Sequence, residues 1–219
     1  MSTQQPIDVR DMKIVHQSFR RAYDEDARLV RAAVSAAPSR VAFLADHVDL
    51  TVLLLHVHHE GEDELLYPKL ITRVPDLAGM TKEVEHEHEA IKECLSKVTA
   101  ACAAWRSQPT AETNEALASS LDQLNAVATA HLDDEEQKVL PLAAETLTQA
   151  EWNALGEHAV KNIPAKSRPI AFGFLLEPLS PEDQAFLKRP LPAPVRLLFP
   201  VIMERPFKKY VATLRGGSA

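Results

Sequence analysis

The chain has 219 residues, of which 46% are hydrophobic and 25% are charged, and its net charge is −7. This length can bury a substantial core as one domain, with room for an appendage. The first residues are polar, and no apolar run stands out as a membrane span. We therefore expect no secretory leader and no membrane partner.

The charge is unevenly distributed along the chain. Residues 147–219 carry a net charge of +4, whereas residues 1–146 carry −11. The acidic part argues against nucleic-acid binding, and the basic part is too sparse to argue for it. Nine of the 15 prolines also follow residue 146. We therefore predict a first domain at 1–146 and a proline-rich helical extension at 147–219 that packs on it.

In chain order, the hydrophobic periodicity predicts four helices, at roughly 8–36, 39–73, 80–106 and 110–146. The first apolar row runs from Met12 to Val34. Connections of a few residues make consecutive helices antiparallel neighbours. The fold class is therefore all-α, an up-down-up-down four-helix bundle. Pro68 lies late in the second helix, where it predicts a kink or a loosened turn.

The extension predicts shorter elements. Thr148, with Glu151 three residues later, is typical of a capped fifth helix. Further helices are expected from Pro181 to Lys188 and from Pro192 or Pro194 to about Arg205. Within the last of these, the apolar row is expected to pack on the bundle as a lid or, alternatively, to bind a protein partner.

The two cysteines, Cys94 and Cys102, are eight residues apart. On one helix they would lie about 12 Å apart, beyond the roughly 7 Å limit for the Cα atoms of a disulfide. Two free thiols and a cytoplasmic location are predicted, with Cys102 as a small core residue.

Every apolar row of the predicted bundle contains a histidine, and two rows also contain a glutamate: His16, His58 with Glu62, His88, and His131 with Glu135. The second and fourth helices thus repeat His-x-x-x-Glu, with a proline ten residues after each histidine. Residues four apart share a helix face. Buried ionised carboxylates cost several kcal/mol unless they are compensated. A bound pair of metal ions is the economical explanation.

The chain has nine histidines, and helix periodicity alone does not decide which of them are metal ligands. The matching prolines favour His58 over its neighbours, and the core row favours His88 over His86. His59 stays open as an additional ligand or as a donor behind the ligands. His47 is about three turns from His58, roughly 16 Å along the axis, so it is interpreted as a core or bundle-end histidine.

Four imidazoles and two carboxylates suit two iron ions, because histidine nitrogen satisfies Fe²⁺ and carboxylates stabilise Fe³⁺ and can bridge. Six side chains leave positions for an oxo or hydroxo bridge and a small ligand. Asp133, Asp134 or backbone carbonyls are expected to accept the second N–H of the metal-bound histidines. The zinc-protease motif and the paired Glu-x-x-His motifs of ferritin-like sites are absent from the sequence.

These residues, with Glu62-Asp63-Glu64-Leu65-Leu66-Tyr67-Pro68 and Leu140-Pro141, resemble the hemerythrin-like (HHE cation-binding) family over residues 8–146. The pattern looks like its actinobacterial branch, which includes mycobacterial hemerythrin-like proteins. The resemblance implies a non-haem, carboxylate- and oxo-bridged di-iron centre inside the bundle. Its ligands would be His16, His58, Glu62, His88, His131 and Glu135.

One departure bears on function. Oxygen-carrying hemerythrins place two histidines four apart on the third helix, but Val84 and Lys92 flank His88 here at that spacing. The resemblance therefore implies redox handling of nitric oxide or hydrogen peroxide rather than reversible O₂ carriage. Peroxidase- or catalase-like turnover, or nitric oxide consumption, is one hypothesis, with no side chain assigned as acid or base. The alternative is an oxygen- or iron-sensing protein that signals to a partner through its extension.

Overall fold

A computed structural model describes residues 6–74 and 78–216, with the side chains of residues 78–81 left aside. The described residues form helices and no strand. The first unit contains α1 (Arg10–Ala32), α2 (Pro38–Gly61), α3 (Tyr67–Arg73), α4 (Ala78–Ser107), α5 (Ala111–Asp134), α6 (Leu140–Thr146) and α7 (Gln149–Asn162). The second unit contains α8 (Arg168–Leu176), α9 (Pro181–Lys188), α10 (Ala193–Phe199) and α11 (Arg205–Leu214). Short π-helical segments join α2 to α3, α5 to α6 and α10 to α11: Glu62–Leu66, Glu135–Val139 and Pro200–Glu204.

The long helices form the predicted all-α bundle. α1 packs against α2 and α5, and α4 packs against α2 and α5, so the four helices form a closed ring. Residues at the N-terminus stabilise two of these helices. Pro38 occupies the first turn of α2, and Thr110 and Thr113 form a reciprocal cap at the start of α5. Large apolar side chains such as Leu44, Ile91 and Leu121 fill the interior.

The first helix is shorter than its predicted range. It ends at Ala32, and the N–H of Ala33 donates to the carbonyl of Val30 in a turn. Val34 is therefore 49% exposed instead of facing inward as the periodicity predicted. The periodic row continued past the point where the backbone leaves the helix, and helix ends are the least certain part of such a pattern.

The division of the chain lies later than the predicted boundary at 147. The two compact units meet between Asn162 and Ile163, so α7 belongs with the bundle. Trp152 explains this: it is 3% exposed within the apolar cluster of the first unit. Its indole N–H donates to Asp11 across 3.0 Å. Thr148 and Glu151 cap α7 reciprocally, as the sequence predicted.

The second unit is built around aromatic contacts. Phe199 packs edge-on near Phe172, and Phe207 packs edge-on against Phe174. A Cβ on Gly173 would lie 2.0 Å from the Phe207 ring, so glycine is required at this crossing. The periodicity did not predict α8, and the last helix runs to Leu214 instead of ending near Arg205.

Within the described residues, one helix, Pro38–Arg73, is long and apolar enough to cross a membrane by length and composition. Its buried face carries His47, His59 and Glu62, as expected for a core helix of a bundle. The expectation that no apolar run stands out at membrane-spanning length is therefore wrong for this helix. Its buried polar residues identify it as part of the protein core.

Cys94 and Cys102 are both free and buried on α4. Burial raises the pKa of the Cys102 thiol to about 12, and its Sγ lies 3.5 Å from the carbonyl oxygen of Ala45. A protonated, enclosed thiol is a poor nucleophile, which agrees with a core residue.

Candidate metal centre

The repeated His-x-x-x-Glu motif acquires the same backbone form twice. In each copy a π-helical segment starts at the glutamate, and the N–H five residues later donates to the glutamate carbonyl: Tyr67 to Glu62, and Leu140 to Glu135. A proline follows at once in both copies, Pro68 and Pro141. Proline lacks an N–H and its ring clashes with the preceding turn, so a wider turn accommodates it. This is the loosened turn that Pro68 predicted.

The structure gathers seven buried or nearly buried side chains into two overlapping groups. One group contains His16, His58, Glu62 and Glu135, and the other contains His59, Glu62, His88 and His131. In each group, one donor atom per residue lies within 4.8 Å of the others. Glu62 belongs to both, so a pair of adjacent cation positions would share this carboxylate.

All six residues predicted as ligands come together here, and His59 joins them as a seventh. His59 lies three residues before Glu62 and His58 lies four before it. Both spacings bring side chains to the face of Glu62 on a helix. The sequence therefore carried the signal for His59, in the pair of histidines before one glutamate. The fifth imidazole therefore comes from α2. On α4, the residues four positions before and after His88 are Val84, which packs in the core, and Lys92, which pairs with Glu89.

The remaining histidines lie away from the two groups. His56 and His86 are exposed. His47 is buried and its Nε2 lies 2.9 Å from Asp26, as expected of a core histidine. His158 packs over Gly61, where an added Cβ would approach its ring to 3.2 Å.

Buried polar atoms in the centre lack ordinary partners. Among the described residues, six of them make no hydrogen bond: Nε2 of His16, His58 and His59, both carboxylate oxygens of Glu62, and Oε2 of Glu135. His58 Nε2 and Glu62 Oε1 are 3.1 Å apart without hydrogen-bond geometry. Native interiors satisfy nearly all such atoms. A shared cation would satisfy these, so the donor set fits a metal site.

Three carboxylates outside the groups orient the imidazoles. The Nδ1 atoms of three histidines lie within hydrogen-bond distance of acidic side chains: His16 of Glu136 at 3.1 Å, His88 of Asp63 at 2.7 Å, and His131 of Glu87 at 2.9 Å. Each contact turns the opposite nitrogen, Nε2, inward, which is the usual arrangement behind a metal-binding histidine. As a result, Nε2 of His88 and Nε2 of His131 meet 3.2 Å apart.

The acceptors differ from those that the sequence analysis expected. Asp133 receives a hydrogen bond from Arg20, and Asp134 pairs with Lys138. Residues four apart on one helix explain the second pair. The carboxylates that reach the histidines come instead from neighbouring helices, or from the turn beside Glu62 and Glu135.

Tyr67 contacts both groups. Its hydroxyl donates to Glu135 Oε1 across 3.2 Å, and its ring packs edge-on against His88 with centroids 5.6 Å apart. The sequence analysis assigned this residue no role. Because Tyr67 occupies one oxygen of Glu135, that carboxylate presents mainly its other oxygen, Oε2, to the centre.

Burial and mutual repulsion perturb the titration of the centre. Burial and the neighbouring imidazoles lower the pKa of His58 and His59 well below its usual range. Burial and the charge of Glu135 raise the pKa of Glu62 well above normal. Burial would also raise the pKa of Glu135, but its contact with His16 and the imidazole charges hold it at about 2. The two carboxylates are adjacent and repel each other, so the pKa of one is raised while the imidazoles keep the pKa of the other low.

A small opening connects the surface with one side of the centre. It is lined by Glu83, Val84, Glu87, His131, Asp134, Glu135, Lys138 and Val139. Glu83 and Lys138 are exposed, whereas His131 and Glu135 are buried. A small molecule or a cation could therefore approach from the surface between α4 and the second π-helical segment.

Comparison with known proteins agrees with this geometry. The family model of the hemerythrin HHE cation binding domain matches residues 8–143, which include all seven side chains of the two groups. No curated protein and no solved structure matches the chain significantly. The chain belongs to the hemerythrin HHE cation-binding family.

Proposed function

We propose that the bundle holds a non-haem di-iron centre that binds or reacts with small oxidants such as nitric oxide, hydrogen peroxide and O₂. One observation carries the proposal: two groups of donors share Glu62, and six of their inward atoms lack hydrogen-bond partners in the described residues. A single metal would leave one group uncompensated. Two cations satisfy both.

The chemistry of the donors favours iron over other metals. Five imidazoles and two carboxylates, with no thiolate, form a nitrogen- and oxygen-rich set. Such ligands suit iron in both its ferrous and ferric states, whereas structural zinc sites favour four ligands that often include cysteine. The two cysteines lie elsewhere on α4 and are buried in the core.

The grouping supports a division of the donors between two ions. His16, His58 and Glu135 would hold one ion, and His59, His88 and His131 the other. Glu62, with both oxygens unsatisfied, would bridge them. Glu135 is proposed to bind through Oε2 alone, because Tyr67 occupies its other oxygen. When bound, the irons would supply electron transfer and a position for the oxidant.

The protein's own residues would control access and orientation. Asp63, Glu87 and Glu136 hold three imidazoles in the orientation that presents Nε2. Burial of the ligands excludes bulk water, which strengthens electrostatic interactions within the centre. The opening beside His131 admits only a small molecule. This restriction agrees with oxidants of two to four atoms, such as nitric oxide, O₂ and hydrogen peroxide, and argues against bulky substrates.

Anaerobic reconstitution with ferrous iron tests the proposal. We expect about two irons per folded chain. Controlled exposure to O₂ should then produce near-ultraviolet absorption of an oxidised, bridged centre, and nitric oxide or hydrogen peroxide should be consumed over repeated additions.

The outcomes discriminate between the candidate functions. Absence of iron after reconstitution, or a preference for zinc, would overturn the proposal. Binding of one gas molecule per centre without turnover would support the sensing alternative instead of an enzyme.

A further inference from the structure

In the second unit, α10, the π-helical segment Pro200–Glu204 and α11 follow one another without a break and form one helical stretch with two contrasting sides. Phe199, Phe207 and Leu214 are buried, with Phe199 near Phe172 and Phe207 against Phe174. Away from this buried row, large aliphatic side chains are exposed: Leu197 at 82%, Leu198 at 51%, Val201 at 51% and Ile202 at 39%. Leu197 and Val201 are four residues apart, and so are Leu198 and Ile202, so each pair shares a face of the helix and the two pairs are neighbours. We call these four residues the aliphatic stripe.

Cationic residues continue the stripe along α11. Arg205 lies four residues after Val201, and Lys208 and Lys209 follow within the next turn. All three are exposed, and no ion pair to them occurs in the described part of the chain. The same side of the helix therefore offers aliphatic groups first and positive charges next. Residues 163–219 as a whole carry nine Lys and Arg against four Asp and Glu.

This combination restricts what can cover the stripe. A second copy that docked through the same surface would bring two basic surfaces together, and their like charges would repel. Single-stranded nucleic acid is usually bound through aromatic stacking, but the stripe itself contains no aromatic side chain. A partner must accept aliphatic side chains and also carry negative charge.

We propose that this side of the helix docks on the surface of a lipid bilayer that contains anionic headgroups. Interfacial helices place Leu-type side chains at the acyl boundary and Lys and Arg among the headgroups. Lysine side chains can extend toward the headgroups while their methylene stems stay in apolar surroundings. The expectation of no membrane partner rested on the lack of a spanning segment, and a helix lying on the surface needs none. The inference goes beyond the proposed iron chemistry and does not depend on it.

Sedimentation of the full chain with vesicles tests the inference. We expect the protein to pellet with equal parts of phosphatidylglycerol and phosphatidylcholine, and to stay in the supernatant with phosphatidylcholine alone. The double variant Lys208→Gln/Lys209→Gln should bind the anionic vesicles more than tenfold more weakly, since each cation near an anionic surface contributes about fivefold. Leu197→Gln/Val201→Gln should also weaken binding, even at low salt.

Matched controls separate docking from folding. Val34→Gln and Val160→Gln change exposed valines of the first unit, at 49% and 41% exposure, and should bind like the parent. The inference is overturned if the parent ignores anionic vesicles or if the stripe variants pellet equally. It is also overturned if Leu197→Gln/Val201→Gln unfolds at clearly lower urea, because the stripe would then pack within the protein. Light scattering that reports a dimer broken by the same variant would identify a second copy as the occupant.

Discussion

Two buried polar clusters lie in the same bundle, and they differ in how their atoms are satisfied. In the first, seven histidines and glutamates converge, and six of their polar atoms make no hydrogen bond in the described residues. In the second, near the middle of α1 and α2, Thr51 Oγ1 donates to Asp26 across 2.7 Å, and the Tyr23 hydroxyl donates to the Thr51 carbonyl across 3.0 Å. His47 Nε2 lies 2.9 Å from the other oxygen of Asp26.

The difference shows that burial of histidine and carboxylate does not by itself define a metal site. Asp26 and His47 are as buried as Glu62 and His131. In the Asp26 cluster one atom, Oδ1 of Asp26, makes no hydrogen bond in the described residues, whereas six such atoms converge in the Glu62 cluster. The Asp26 cluster is therefore almost satisfied by the protein itself and stabilises the fold, whereas a bound cation would satisfy the Glu62 cluster. The number of unsatisfied buried atoms, more than burial itself, separates a structural polar network from a binding site.

The largest expected effect tests the ligand register. We expect His131→Ala to abolish iron loading, because it removes a donor whose Nε2 meets that of His88. His86→Ala, on the exposed face of α4, should load iron like the parent. Iron content after anaerobic reconstitution is the measurement. The reverse pattern would refute the register and, with it, the distinction between the two clusters.

The next prediction compares one substitution in each cluster, by its effect on stability and on iron content. Asp26→Ala should lower the free energy of unfolding by about 3–5 kcal/mol, because it removes the buried carboxylate that contacts His47 and Thr51 in the core. Iron content per folded molecule should not change. Glu62→Leu should abolish iron loading, yet it should stabilise the metal-free protein by about 1–3 kcal/mol, because it removes an unsatisfied buried carboxylate.

Urea unfolding of the metal-free variants measures the change in stability, and iron analysis measures the change in metal loading. If Glu62→Leu destabilised the metal-free bundle as strongly as Asp26→Ala does, Glu62 would be part of the structural network. The comparison between the clusters would then fail.

The sequence predicted the inner part of the centre better than its surroundings. His16, His58, His88 and His131 could be found because each interrupts an apolar row, and the repeated motif paired two of them with Glu62 and Glu135. These are short-range patterns on single helices.

The supporting residues lie outside what such patterns can reach. Glu87 contacts His131 from another helix, 44 residues away, and Asp63 contacts His88 from 25 residues away. Both are charged residues on faces that look solvent-exposed in sequence. Only the packing of α4 against α2 and α5 brings them to the histidines, so helix periodicity could not identify them. The division of the chain after Asn162, later than the predicted 147, was out of reach for a similar reason, since the contact of Trp152 with Asp11 spans 141 residues.

A smaller effect tests these outer carboxylates. Glu87→Gln should weaken iron binding about 10–100-fold, because the outer partner fixes the orientation and basicity of a metal-binding histidine. Competition with a chelator measures the affinity. Glu89→Gln, on the exposed side of the same helix, removes an equal charge and serves as the control. Equal weakening in both variants would indicate a general charge effect instead of a role for the contact with His131.

The smallest expected effect comes from an exposed ion pair, which gives a reference for the two buried clusters. The Arg73 guanidinium, together with the cap at Thr148, holds the pKa of Glu151 at about 2, below its usual 4.5. A carboxyl with a depressed pKa contributes stability above about pH 4.5, and the contribution is lost as pH falls through about 2.

Glu151→Gln keeps a side chain that can cap α7 but removes the charge. Since solvent screens this pair, the variant should lose several-fold less stability at about pH 7 than Asp26→Ala, and the loss should shrink at about pH 3. Urea unfolding of metal-free protein at both pH values measures it. A loss of unfolding free energy as large as that of Asp26→Ala, or one that grows in acid, would show that exposed charges contribute as much as the buried network. Satisfaction of buried polar atoms would then no longer explain why the Asp26 cluster stabilises the fold.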